Sequence, residues 1–131
     1  MERIILSLSL ILILVQNASA MSDAEWDDKI ATEPSELNRL IFRCDKEVDN
    51  HKYNGNPEVC VQAFNTLRTY PLSIVKDTCS IMAQDAGFLF NYSKKNYVKA
   101  YEYYLKSAKL DNTVAQKNLD ILCKQHSWVC K

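Results

Sequence analysis

The chain has 131 residues, with 16 Lys and Arg against 16 Asp and Glu, 47% hydrophobic residues, five Cys, two Gly and three Pro. This length allows one domain, and the composition is that of a globular protein. So few Gly and Pro argue against an all-β fold, which needs many tight turns. Zero net charge removes the electrostatic reason to expect a nucleic-acid partner, because such proteins need excess cations to displace counterions from phosphates.

Residues 1–20 have the pattern of a secretory signal peptide. Arg3 precedes an apolar run over residues 4–15, and the small-residue pattern ASA ends the segment at Ala20. The run is shorter than the ~20 apolar residues that span a bilayer as a helix. We therefore expect cleavage after Ala20 and a periplasmic or secreted mature chain, residues 21–131, with no membrane association. In a eukaryotic producer, the sequon at Asn91 would also accept a glycan.

Export places the five cysteines in an oxidising compartment, where disulfides are the default. The spacings lack the close pairs of a zinc site, and we predict neither a metal nor another cofactor. Local ring closure favours two bridges, Cys123 with Cys130 and Cys44 with Cys60. Cys79 would then remain a buried thiol, and pairing of Cys60 with Cys79 is the open alternative.

Apolar residues recur at helical spacing through the mature chain and predict a single all-α domain of about five helices. The first three predicted helices cover residues 35–49, 57–69 and 72–90, and the fifth covers residues 113–125. Pro57 is expected to start the second helix and Pro71 to end it. The fourth helix is predicted to begin at an N-cap, Ser93, and to end at the Asp111-Asn112 pair, which also caps the fifth.

Residues 21–34 precede the first helix and form a predicted flexible, acidic arm. Residues 21–58 carry ten acidic and five basic residues, whereas residues 91–131 carry three acidic and eight basic ones. We interpret the arm as a candidate partner-binding segment, with a solvated tail as the alternative. The candidate residues are Asp23, Glu25, Trp26, Asp27 and Asp28.

Part of the chain repeats at a constant offset of 33 residues. Each of four positions in a first block corresponds to a position 33 residues later in a second block. The first block is Met82, Ala86, Gly87 and Phe90, and the second is Ala115, Leu119, Asp120 and Cys123. Further matches to a repeat pattern are Tyr97, Lys99, Ala100, Tyr104, Lys106, Ala108, Gln116 and Asn118, while Tyr103 and Ser107 stand at its Trp and Ala positions. The segment from Met82 to Cys123 resembles one Sel-one-like repeat, a relative of the tetratricopeptide repeat. The resemblance implies short antiparallel helical hairpins that act as a scaffold for binding partners.

The sequence predicts no catalytic residues. The main candidate pair is a cysteine with His51 or His126, but Cys79 lies on an apolar stripe where burial raises the pKa of a thiol. We therefore predict an exported, non-catalytic protein-binding module, most concretely a periplasmic inhibitor or immunity protein. Its partner would be another secreted or periplasmic protein, such as a cell-wall hydrolase. The resemblance to cysteine-rich Sel-one-like proteins implies the alternative, an enzyme that binds or hydrolyses β-lactams.

Overall fold

The computed structural model describes Ser22, Ala24, Glu25 and residues 36–131. Residues 36–131 form five α-helices and two short 3-10 turns without a strand, which confirms the predicted all-α fold with disulfides. The helices are α1 (Glu36–Asp49), α2 (Pro57–Leu67), α3 (Leu72–Tyr92), α4 (Tyr97–Ala108) and α5 (Thr113–Gln125), and the 3-10 turns are His51–Tyr53 and Ser127–Cys130. No helix in this part of the chain has the length and apolarity to cross a membrane. The predicted signal peptide lies outside the described residues.

Asparagine side chains begin three of the helices. Asn56, Asn96 and Asn112 are the N-caps of α2, α4 and α5, and each side-chain oxygen accepts a hydrogen bond from a backbone N–H in the first turn. The predicted cap of the fourth helix, Ser93, is wrong. Ser93 ends α3, and its hydroxyl donates to the backbone carbonyl of His51 over 2.8 Å. The N-cap of α4 therefore lies at Asn96, later in the chain than predicted, because α3 continues two residues beyond its predicted end.

The core lies around α3, which packs against α1, α2 and α4. Gly87 permits a close contact between α3 and α4, since a Cβ atom there would lie 2.7 Å from the Cδ1 atom of Tyr104 on α4. Small residues let paired helices approach in this way. The buried side of α4 consists of Ala100, Tyr103, Tyr104 and Ser107.

Two disulfides join neighbouring elements. Cys44 bonds to Cys60 and links α1 to α2, while Cys123 bonds to Cys130 and links α5 to the last 3-10 turn. These are the pairs that local ring closure favours. Cys79 keeps a buried thiol, so the structure does not form the alternative bridge between Cys60 and Cys79.

A short chain of hydrogen bonds fixes α4 and α5 on α3. The Ser107 hydroxyl donates to the Ser80 backbone carbonyl over 2.6 Å, and the Asn112 side-chain amide donates to the Ser80 hydroxyl over 3.3 Å. Ser107 and Ser80 are buried, so each bond satisfies a polar group that water does not reach. The loop between α4 and α5 therefore has a defined position over α3.

Candidate functional site

The short connections between helices gather at two opposite ends of the bundle. At one end, the connection between α1 and α2 touches the connection between α3 and α4, because the Lys94 ammonium donates to the Asn54 side chain over 2.6 Å. We call this the aromatic end and define it by its rings, which are His51, Tyr53, Phe88, Tyr92, Tyr97, His126 and Trp128. At the other end lies a second feature, the cationic groove, defined by Phe64, Arg68, Tyr70, Leu72, Cys79, Lys106, Lys109 and Leu110.

Ring contacts hold one side of the aromatic end in place. The ring of Phe88 meets His51 edge-on, with 4.9 Å between centroids, and lies 4.8 Å from the ring of Tyr92. The Nδ1–H group of His51 donates to the Val48 backbone carbonyl over 2.8 Å, which orients the imidazole. This side of the surface is ordered by contacts between α3 and the turn after α1.

The C-terminal turn forms the other side of the aromatic end. His126 stacks on Tyr97 with 3.7 Å between ring centroids. The bond from Cys123 to Cys130 closes the turn that carries Trp128. The Trp128 side chain is therefore attached to a short closed loop rather than to a free chain terminus.

Large side chains at this end face solvent. Tyr53 is 85% exposed, Trp128 is 60% exposed and Tyr92 is 50% exposed, while Val98 at the start of α4 is 57% exposed. Grouped exposed apolar side chains mark interaction sites on folded proteins. Tyr and Trp are also among the residue types that contribute most to protein interfaces.

The cationic groove lies where α2 ends, α3 begins and α4 ends. It is open to solvent along one side and has a volume of about 370 Å³. Its floor includes the ring of Phe64, and two cations lie over that ring: the Arg68 guanidinium at 5.4 Å from the centroid and the Lys106 ammonium at 5.9 Å. Three of the lining residues are cations and none is acidic.

The structure separates Cys79 from His51 and His126, which the sequence analysis gives as a candidate catalytic pair. Cys79 lies under the cationic groove, and its thiol points to the Phe64 backbone carbonyl at 4.0 Å. Burial raises the pKa of the Cys79 thiol, and the nearby Arg68 opposes this rise only in part. His51 and His126 belong to the aromatic end, so the structure does not bring either one to Cys79.

The sequence analysis does not single out Asp85, whose carboxyl group is partly buried on α3. Burial raises the pKa of Asp85 to about 7, and the charge of Asp45 adds to the rise. One Asp85 oxygen lies 3.8 Å from the Sγ atom of Cys44, which carries no hydrogen in its disulfide and so makes a contact without a hydrogen bond. The signal in the sequence is an acidic residue inside the long apolar stretch of α3.

Tyr104 and Asn91 are further polar residues in the core. No hydrogen bond of normal geometry reaches the Tyr104 hydroxyl within the described residues. Burial raises the pKa of Tyr104, and the neighbouring Asn91 side chain offsets this only in part. Asn91 itself is 8% exposed, so this fold has little room for a glycan at the sequon.

The acidic arm lies almost entirely outside the described residues, and this applies to Asp23, Trp26, Asp27 and Asp28. Glu25 is described and exposed, and its backbone N–H donates to the Ser22 hydroxyl over 3.2 Å. Within the described ranges, no cluster of three or more His, Cys, Asp or Glu side chains is arranged to hold a metal ion.

No family model, curated protein or solved structure matches this chain.

Proposed function

We propose that this chain is an exported, non-catalytic protein-binding module, and most concretely a periplasmic inhibitor or immunity protein that occludes an extracytoplasmic enzyme. The observation that carries this proposal is the aromatic end, where Tyr53, Tyr92 and Trp128 are half or more exposed. Such side chains bury a large area with few rotatable bonds, which makes them effective anchors in an interface.

The order of the aromatic end supports the same function. Phe88 holds His51 and Tyr92 from below, and the stack of His126 on Tyr97 supports the C-terminal turn. Binding through an ordered surface loses less conformational entropy than binding through a mobile one. At Tyr92 and at the Tyr97–His126 stack, a partner would meet rings that other rings already hold in place.

Several features are compatible with a location outside the cytoplasm. The described residues contain two disulfides and no helix able to span a membrane. Disulfides persist in oxidising compartments. Together with the signal-peptide pattern of residues 1–20, they favour a periplasmic or secreted protein whose target is also extracytoplasmic.

The scaffold that we propose is one Sel-one-like repeat. Tyr103 and Ser107, which stand at the Trp and Ala positions of the repeat pattern, are both buried between helices. Gly87 and Tyr104 make the close contact between α3 and α4 that a repeat of small and aromatic residues needs. These contacts support the proposal and are independent of the exposed surface.

An inhibition assay tests the proposed function. The purified protein is mixed with the secreted enzyme encoded by the neighbouring gene, because immunity proteins are encoded beside the toxin that they block, and the enzyme activity is followed. We expect loss of activity at an equimolar ratio. Full enzyme activity in the presence of excess protein would contradict the proposal. Hydrolysis of nitrocefin by the purified protein would instead support the β-lactam alternative.

A further inference from the structure

We propose that the cationic groove binds a small amphiphile that consists of an unbranched apolar chain and one carboxylate, as in a medium-chain fatty acid. The groove is at the opposite end from the proposed partner surface, so this inference stands independently of it. A volume of about 370 Å³ lies in the range of about 300–1,000 Å³ that is usual for small-molecule sites.

The inner part of the groove suits an apolar chain. Phe64 and Cys79 form a floor that is closed to solvent, with exposed fractions of 3% and 0%. Tyr70 and Leu110 add apolar surface to the lining, and Leu72 at the start of α3 is 50% exposed. A bound apolar chain would remove the Leu72 surface from water, which favours binding.

The charged part of the groove suits an anion. Lys106 is already paired, since its ammonium lies 3.3 Å from a Glu102 carboxylate oxygen and 4.8 Å from the Tyr103 ring centroid. Arg68 and Lys109 follow the last turns of α2 and α4 and contribute two further cations. An arginine guanidinium and a carboxylate match each other in geometry and form strong, charge-assisted hydrogen bonds.

The helix dipoles do not reverse this preference. The carboxyl ends of α2 and α4 face the groove and contribute roughly half a negative charge each, and the amino end of α3 contributes roughly half a positive charge. The helix ends therefore contribute a net charge of roughly minus one half. The groove is lined by three cations, and Glu102 neutralises only Lys106, so the positive charge of the side chains is larger. The groove therefore favours a carboxylate over a neutral or cationic head group.

A ligand series with one chain length tests the proposal. Decanoate, 1-decanol and decylammonium are titrated separately into the purified protein, with calorimetry to measure affinity and ¹H–¹⁵N spectra to locate binding. The same titration is made with the double variant Arg68→Gln/Lys109→Gln. Its matched control is Lys117→Gln/Lys124→Gln, which removes the same charge from exposed positions on α5.

We expect decanoate to bind at least about tenfold more tightly than 1-decanol, the factor that corresponds to one charge-assisted contact. Decylammonium should bind more weakly than both. Spectral changes should centre on Leu72 and Leu110, and the groove variant should reduce decanoate affinity to that of the alcohol while the α5 control keeps it. Equal affinity of acid and alcohol, tighter binding of decylammonium, or the absence of saturable binding at the groove would overturn the proposal. An equal loss in both double variants would also do so, because it would reflect net charge alone.

Discussion

Burial of the Asp85 carboxyl should make the stability of this fold depend on pH. The carboxyl is partly buried on α3 beside the disulfide of Cys44, and burial together with the charge of Asp45 raises the pKa of Asp85 to about 7. The folded state therefore favours the neutral acid. Stabilisation from that neutral form is full below the ordinary pKa of an aspartate, about 4, and is lost as the pH rises through about 7.

We expect Asp85→Asn to remove this dependence, because the amide stays neutral at every pH. At about pH 8 the variant should have a free energy of unfolding above that of the wild type by as much as about 4 kcal/mol, the upper limit set by a rise in the pKa of Asp85 from its ordinary value to about 7. At about pH 5 the difference should be smaller. Urea unfolding at the two pH values measures it.

Asp77→Asn is the matched control for this experiment. Asp77 lies on the same helix but is exposed, so its substitution should change the free energy of unfolding by less than about 0.5 kcal/mol at either pH. Parallel stability profiles for the wild type and Asp85→Asn between pH 5 and pH 8 would instead show that Asp85 is already charged in the folded state at pH 5.

At the scale of the helices, the close contact between α3 and α4 depends on Gly87, because glycine has no side chain. A Cβ atom at Gly87 would lie 2.7 Å from Cδ1 of Tyr104, which is closer than packed carbon atoms come. Tyr104 is fully buried, so its ring has little room to move. This residue pair therefore limits how closely the two helices can approach.

Gly87→Ala should lower the free energy of unfolding by about 1–3 kcal/mol, because overpacking outweighs the roughly 1 kcal/mol by which alanine favours a helix. Thermal or urea unfolding measures this loss. In a Tyr104→Leu background the smaller side chain removes the overlap, and Gly87→Ala should then be neutral or stabilising. The same loss in both backgrounds would mean that the Tyr104 ring does not determine the cost.

The two disulfides should differ in their contribution to stability. The bridges close loops with sequence separations of 16 for Cys44 and Cys60 and 7 for Cys123 and Cys130. In the chain-entropy model, these loops contribute about 3 and about 2 kcal/mol. Replacing Cys44 and Cys60 together by serine should lower the free energy of unfolding by more than the chain-entropy value. Both sites are fully buried, so the serine hydroxyls would lose their hydrogen bonds to water.

Urea unfolding of the two double-serine variants checks this order, with Cys79→Ala as a control that leaves both bridges intact. A larger loss of stability for the Cys123 and Cys130 pair would contradict it. Peptide mapping that found Cys79 in a disulfide would contradict the pairing itself.

Most of the local structure follows from local signals in the sequence. Pro57 begins a helix and Asn112 caps one, as expected, because each acts through its own backbone and immediate neighbours. The predicted cap at Ser93 is wrong because α3 extends two residues beyond its predicted end. Gly55 acts through packing: Asn54 adopts the left-handed conformation with φ of 79°, and Gly55 is needed because a Cβ atom would lie 2.4 Å from the Glu47 carbonyl oxygen.

The two ends of the molecule could not be predicted in the same way. The cationic groove joins Phe64 on α2 to Lys106 on α4, and the aromatic end places Tyr53 and Trp128 on one end of the bundle. These residues are far apart in sequence, and no local pattern of spacing links them. Only the antiparallel packing of the helices places each set at one end of the bundle.

At the scale of the whole molecule, acidic and basic residues are separated along the chain. Residues 21–58 are acidic and residues 91–131 are basic. Complementary fields accelerate association and select partners, whereas buried aromatic contacts determine how long a complex lasts. We therefore propose that the acidic arm steers a cationic partner, such as a cell-wall hydrolase, and that the aromatic end holds it.

Replacing Asp23, Glu25, Asp27 and Asp28 together with Asn or Gln should slow association with the secreted enzyme encoded by the neighbouring gene and leave dissociation almost unchanged. Higher salt should have the same effect on the wild type, because the Debye length is about 8 Å at physiological ionic strength and shorter above it. Surface plasmon resonance at two salt concentrations measures both rates. An unchanged association rate would identify the arm as a solvated tail.

The most direct test of the aromatic end as partner-binding site is the dissociation constant of the complex with the secreted enzyme encoded by the neighbouring gene. It is measured for the wild type, for Tyr53→Ser/Trp128→Ser and for Phe42→Ser. Phe42 is a matched control, because it is 60% exposed like Trp128 but lies on α1, outside the aromatic end. If the aromatic end is the interface, the double variant weakens binding by at least about thirtyfold, the effect of one central aromatic anchor of about 2 kcal/mol, and Phe42→Ser binds as the wild type does. Equal affinities for the wild type and the double variant would contradict the assignment of this surface as the partner-binding site.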